Sequence, residues 1–189
     1  GSGSEFSVAL TLKKARAGTA PVATETRGAP ISLASLFSRN QQKPVAGPNG
    51  RPCVLIVEDY APNIMVLSLM LEELGYDTVS AASGTDAIDI IKATPGPHYA
   101  ILMDVQMQGM DGLETTRWIR DLESAKSQAG RGYRNTIIGV TAHALAGDRE
   151  RCLQAGMDDY ISKPVLPDIL ALKLGQLRQD PAVSRTASQ

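Results

Sequence analysis

The sequence holds little cysteine. Cys53 and Cys152 are the only two, far apart and outside any CxxC pattern. They form neither a zinc ligand set nor a redox motif, and both read as small side chains, one opening an apolar run and one within a helix. No charge of one sign dominates either. The 19 Lys and Arg residues stand against 20 Asp and Glu, for a net charge of −1. That balance excludes the basic footprint of a nucleic-acid binder and the polybasic block of a membrane-surface segment. No apolar run approaches the length of a bilayer span. The amino terminus lacks the basic-then-apolar order of a signal peptide. Nothing in this chain addresses it to a membrane or to the exterior, so the expected location is the cytoplasm, with a membrane anchor left open for a longer parent protein.

With 43% hydrophobic residues, the 189-residue chain can bury one core and leave some chain poorly structured. From Lys13 to Gly50 it is rich in Ala, Pro, Gly, Thr and Ser and has almost no periodic apolar pattern. Such a composition cannot offset the entropy of ordering, and it reads as a linker over residues 13–51. Within it ISLASLF (Ile31–Phe37) reads as a transiently helical spot.

After Arg51 the texture changes. CVLIV (Cys53–Val57) is a run fit for a strand buried on both faces. Helical spacing follows at Ile64, Leu67, Leu71 and Leu74, and Gly75 ends it. The pattern then predicts a strand at Thr78–Ala82 and a helix capped by Ser83. Next come a strand at Tyr99–Met103, a helix around Leu113–Leu122 and a strand at Ile137–Val140. A helix over Leu145–Ala155, a strand at Asp159–Ser162 and a helix over Leu166–Leu177 complete the series. His98 reads as a loop residue, Asp111 as a turn residue, and Ser124–Asn135 as a long, basic, solvated loop. Five short strands alternating with five helices predict an α/β fold, a doubly wound parallel sheet covered on both faces. Chemistry in such sheets gathers at the carboxyl ends of the strands. The residues there are Glu58 and Asp59, Asp104, Thr141 and Lys163. Clustered carboxylates repel and raise one another's pKa unless a cation compensates. A hard divalent ion with oxygen ligands would do so, and Mg2+ combines few carboxylates with waters and phosphate oxygens. The loop after the first strand is acidic, where a phosphate-binding loop would be rich in Gly, Ser and Thr, which disfavours a flavodoxin-type or phosphatase-type enzyme.

VLIVEDYAPN, ILMDVQMQGMDG, IIGVTAHA and DDYISKP together resemble the four signature segments of response-regulator receiver domains, in order and spacing, over about Pro52–Gly175. The resemblance implies a (βα)5 flavodoxin-like fold over residues 52–177, with a disordered tail at 178–189. It implies that Asp104 is the phospho-acceptor and that Mg2+ is held by Glu58, Asp59, Asp104 and the backbone carbonyl of Gln106. Thr141 binds the phosphoryl oxygens, Lys163 pairs with them, and Tyr160 is the aromatic switch residue. The Lys163–Pro164 bond is expected to be cis. The implied partners are a histidine kinase, a histidine phosphotransfer protein or both, with no nucleic acid and a monomeric state. A phospho-acceptor of this kind catalyses its own phosphotransfer and dephosphorylation, so whether to class it as an enzyme stays open. The alternative is a non-phosphorylated interaction module on the same fold.

Three positions modulate the expected site. Tyr60 is larger than the small polar residue common after the acidic pair, Gln108 replaces the usual proline and should loosen the loop, and His143 reads as a surface neighbour that tunes partner choice. GSGSEF reads either as a cloning remnant or, continued as GSGSEFSVALTL with Phe6, Val8, Leu10 and Leu12 alternating, as the tail of a histidine-kinase ATP-binding domain. The second reading makes this the carboxyl-terminal receiver of a hybrid histidine kinase. The residues after Gly175 are too few for a DNA-binding module, and output is expected through protein contacts.

Overall fold

The computed structural model describes residues 43–130, 132–142 and 146–179. The expectations for residues 1–42, for His143 and for the tail from residue 180 lie outside the described residues. Three apolar runs, β1 (Cys53–Val57), β3 (Ala100–Asp104) and β4 (Ile137–Thr141), are buried along their whole length. Strands of that kind belong in the middle of a sheet with both faces covered. They do: the order is β2-β1-β3-β4-β5, with β2 (Asp77–Ala81) and β5 (Asp159–Ser162) partly exposed at the two edges. All four pairings are parallel.

The period-two alternation of side chains splits the core into two layers. Leu55, Val57, Ile101, Met103 and Ile137 pack with residues of α2 (Gly84–Ala93), α3 (Gly112–Gln128) and α4 (Ala146–Ala155). Val54, Ile56, Leu102, Ile138 and Val140 face α1 (Ala61–Glu73) and α5 (Pro167–Gln179), which contribute Leu67, Leu71, Leu170 and Leu174. The expected doubly wound sheet is thus present. None of the helices among the described residues is long and apolar enough to cross a membrane.

Ser83 caps α2 as expected, its hydroxyl accepting from Asp86 N at 3.1 Å. Asp111, expected as a turn residue, is instead the N-cap of α3, accepting from Glu114 N at 2.7 Å. The segment expected as a solvated loop from Ser124 is helical through Gln128. Beyond the helix the chain folds back onto the domain. Tyr133 is buried and its hydroxyl meets the Thr94 carbonyl at 3.0 Å, while buried Asn135 donates its N–H to Glu123 at 2.7 Å. The partners of both lie at the far end of α2 or on α3 itself, which composition alone does not reveal.

Residues Lys43–Arg51 also differ from a free linker. Val45 donates to the Pro97 carbonyl at 2.9 Å, and Cys53 donates back to Val45 at 3.1 Å. The turn around Asn49 sits on Asp77, whose carboxylate accepts from Asn49 N, Asn49 Nδ2 and Arg51 N at 2.8, 2.9 and 3.2 Å. Burial pushes the Asp77 carboxyl up, but these hydrogen bonds outweigh it and hold it below the ordinary range. Backbone and amide donors hold this strap, so a search for apolar periodicity passes over it. Lys163–Pro164 is cis.

Candidate functional site

Because β1, β3, β4 and β5 are successive neighbours, the residues at their carboxyl ends converge. Ligand oxygens of Glu58, Asp59 and Asp104 lie within 4.8 Å of one another. Glu58 and Asp104 are buried at the strand ends, while Asp59 is exposed at the mouth. Lys163, arriving from β5, places Nζ 2.8 Å from Asp104 Oδ2 and 2.9 Å from Glu58 Oε2. One ammonium thus bridges the two buried carboxylates, which would otherwise face each other uncompensated. Burial pulls the Lys163 ammonium down, but its bonds to Asp104 and Glu58 prevail and its pKa rises. For Asp104, burial prevails over the Lys163 and Gln106 hydrogen bonds and raises the carboxyl above its ordinary value, with the charge of Glu58 adding to the rise.

Each carboxylate has a further donor. Gln106 N donates to Asp104 Oδ1 at 3.1 Å, Asn63 Nδ2 to Glu58 Oε1 at 3.0 Å, and Gln108 N to Asp59 Oδ2 at 2.9 Å. Asn63 was not among the sequence-predicted residues. The signal for it is its place in the third position of α1, after Pro62, from which a side chain reaches back over the helix start. Gly112, the first residue of α3, is a second omission. A Cβ there would collide with the backbone of Asp104 and Val105, so α3 can abut the acceptor strand only with glycine at this point.

Thr141 is buried at the end of β4. It joins Asp59, Gln106 and Gln108 in lining a cavity of about 470 Å³ that reaches Arg151 on α4. Tyr160 is half-buried on the edge strand, opposite Gly139 in register, with Lys173 Nζ 6.0 Å from its ring centre. It stands outside the carboxylate cluster. Tyr60 is 59% exposed and precedes α1 as its N-cap residue. The structure therefore brings Glu58, Asp59, Asp104 and Lys163 together directly, with Gln106 and Gln108 joining through their backbone. An all-oxygen set at this spacing fits a hard divalent cation such as Mg2+, and the exposed Asp59 leaves it a path from solvent.

The response regulator receiver domain matches residues 54–174 of this chain. The chain belongs to the receiver family. The sensor protein GacS of Pseudomonas syringae pv. syringae is 32% identical over 167 residues, covering 85% of this chain and 18% of GacS. This receiver thus spans less than a fifth of that curated relative. Among solved structures, the receiver domain of the sensor histidine kinase PA1611 from Pseudomonas aeruginosa PAO1 is 38% identical with a TM-score of 0.58. The match covers 67% of this chain and 97% of that one, which carries a magnesium ion in its active-site cleft. The receiver of the Saccharomyces cerevisiae response regulator Ssk1, solved with the histidine phosphotransfer protein Ypd1, is 29% identical with a TM-score of 0.60. That match covers 67% of this receiver and 88% of the other chain.

Proposed function

We propose that this receiver accepts a phosphoryl group on Asp104 from a phosphohistidine donor, in a Mg2+-dependent reaction within a hybrid-kinase phosphorelay. The observation that carries the proposal is the Lys163 bridge, one ammonium within 2.9 Å of both Asp104 and Glu58 at the rim of a three-carboxylate cluster. Glu58, Asp59, Asp104 and the Gln106 carbonyl are the proposed Mg2+ ligands. The bound ion supplies positive charge against the phosphoryl oxygens. A carboxylate is a weak nucleophile, so the residues act by position and charge cancellation. An Asp104 oxygen attacks phosphorus as the P–N bond breaks, and the imidazole departs with the electron pair and takes up a proton. Lys163 shifts its ammonium from carboxylate to phosphoryl oxygen, and the Thr141 hydroxyl donates to the acyl phosphate. Thr141 moving inward opens room for Tyr160 to turn, which couples the charge change to the α4–β5–α5 face.

The partner we propose is a histidine kinase, a histidine phosphotransfer protein or both, acting on a cytoplasmic, monomeric domain that binds no nucleic acid. Helix α1 supports this, since it begins two residues after Asp59 and carries exposed Met65, Val66 and Leu69. An apolar helix face beside the acceptor suits a helical phosphodonor. The test is incubation with acetyl phosphate and Mg2+ followed by intact mass measurement. A single phosphoryl adduct is expected, absent in Asp104→Asn and on removal of Mg2+ with EDTA. The lack of an adduct with acetyl phosphate and with phosphohistidine donors alike would make the domain a non-phosphorylated interaction module.

A further inference from the structure

The acidic pair has a support of its own. Glu58 and Asp59 are adjacent in sequence, and both have an oxygen within 4.8 Å of an Asp104 oxygen. Like charges so placed would rotate apart, and Asp59, exposed at the mouth, has the room to do so. Besides the Lys163 bridge to Glu58, two further donors oppose that motion, one for each carboxylate. Asn63 reaches back from the first turn of α1 to Glu58 Oε1 at 3.0 Å. Gln108 donates its backbone N–H to Asp59 Oδ2 at 2.9 Å. A proline at position 108 has no such N–H. The replacement by Gln therefore ties the 105–110 loop to the acidic pair, where loss of proline alone would predict slack.

We infer that Asn63 and the Gln108 N–H are positioning groups that hold Glu58 and Asp59 ready for a divalent cation and set how tightly it binds. The inference rests on the Mg2+ reading above. The Gln108 N–H occupies one Asp59 oxygen and leaves the other to serve a cation, while Asn63 holds Glu58 by the oxygen that Lys163 does not. Partners of metal-ligating carboxylates commonly change metal affinity by about 10–100-fold when removed. The Gln108 side chain, which is exposed, has no part in this, so its identity matters only in not being proline.

Isothermal titration of the full chain with MgCl2, with no phosphodonor present, tests the inference. Asn63→Ala and Gln108→Pro should each weaken Mg2+ binding about tenfold or more, whereas Gln108→Ala, which keeps the N–H, should match the parent chain. Melting curves without Mg2+ identify any variant that fails to fold. Should Gln108→Pro be one, the Gln108 amide resonance serves in its place, and it should move in Asp59→Ala and on Mg2+ addition. Unchanged affinity in Asn63→Ala, or an unmoved Gln108 resonance, overturns the inference and leaves the Mg2+ reading intact. Equal weakening by Gln108→Ala and Gln108→Pro removes the backbone N–H from it. A parent chain that takes up no Mg2+ overturns both.

Discussion

At the scale of single residues, His98 carries a burial cost that its surroundings do not fully offset. It is 4% exposed, and its Nδ1 has no hydrogen-bond partner among the described residues. Burial holds the imidazole at about 4, against an ordinary 6.5, with Asn135 offsetting part of the shift. The folded state therefore refuses a proton that the unfolded chain accepts between those two values. Stability should be unaffected by His98 above about pH 6.5, fall as the pH drops toward 4, and gain no further penalty from it below. The full shift corresponds to about 3 kcal/mol. Melting temperatures followed from pH 7.5 to 4.5 should show this slope in the parent and a shallower one in His98→Leu. The sequence places His98 correctly in a loop but says nothing of its burial. The residue sits beside Asn135, 37 positions away, whose side chain accepts from His98 N at 2.8 Å.

At the scale of elements, the contact of α3 with the end of β3 decides where Asp104 sits. Gly112 N donates to the Val105 carbonyl at 3.1 Å, and there is no space for a Cβ between the helix and the Asp104 backbone. Gly112→Ala should destabilise the fold by about 1–3 kcal/mol, the usual cost of overpacking. Because the displaced atoms are those of the acceptor strand, the rate of adduct formation from acetyl phosphate should fall too, under conditions where the variant is fully folded. An equally mild substitution on the outer face of α3, such as Arg117→Ala, should leave both unchanged. The elements themselves were largely legible. Fully apolar runs such as CVLIV and IIGV can be little else than central strands, and their order brings four strand ends together without further information. What escaped the sequence depends on contacts between distant elements. The last turns of α3 are polar and gain their support from Asn135 and Tyr133, and the close approach of Gly112 exists only once α3 has docked. Asn63 escaped for a related reason, since an asparagine in the first turn of a helix has many ordinary uses.

At the scale of the whole molecule, the domain has two poles. The carboxyl ends of the strands carry the carboxylate cluster, and the amino ends carry the Lys43–Arg51 strap on Asp77 and Pro97. Removing the chain through Arg51 should lower the melting temperature, since Asp77 then loses three donors in a buried place. The same truncation should leave the Asp104 adduct intact. Hydrogen exchange gives a second measure: in the intact chain the amides of Val45, Asn49 and Arg51 should be protected, and Asp77→Ala should release the latter two. The strap lay in what composition marks as linker, because its hold comes from polar groups that any turn could supply.

The strap also decides which side of the domain is free for instrumentation. The polypeptide joins the sheet at the pole opposite Asp104, so a fluorophore attached at exposed Lys43 stays clear of an approaching phosphodonor. A second dye, carried by an Ala142→Cys substitution at the exposed position just past Thr141, would lie at the other pole. Docking at the mouth should then disturb the second dye and spare the first, turning partner binding into a signal with its own internal reference.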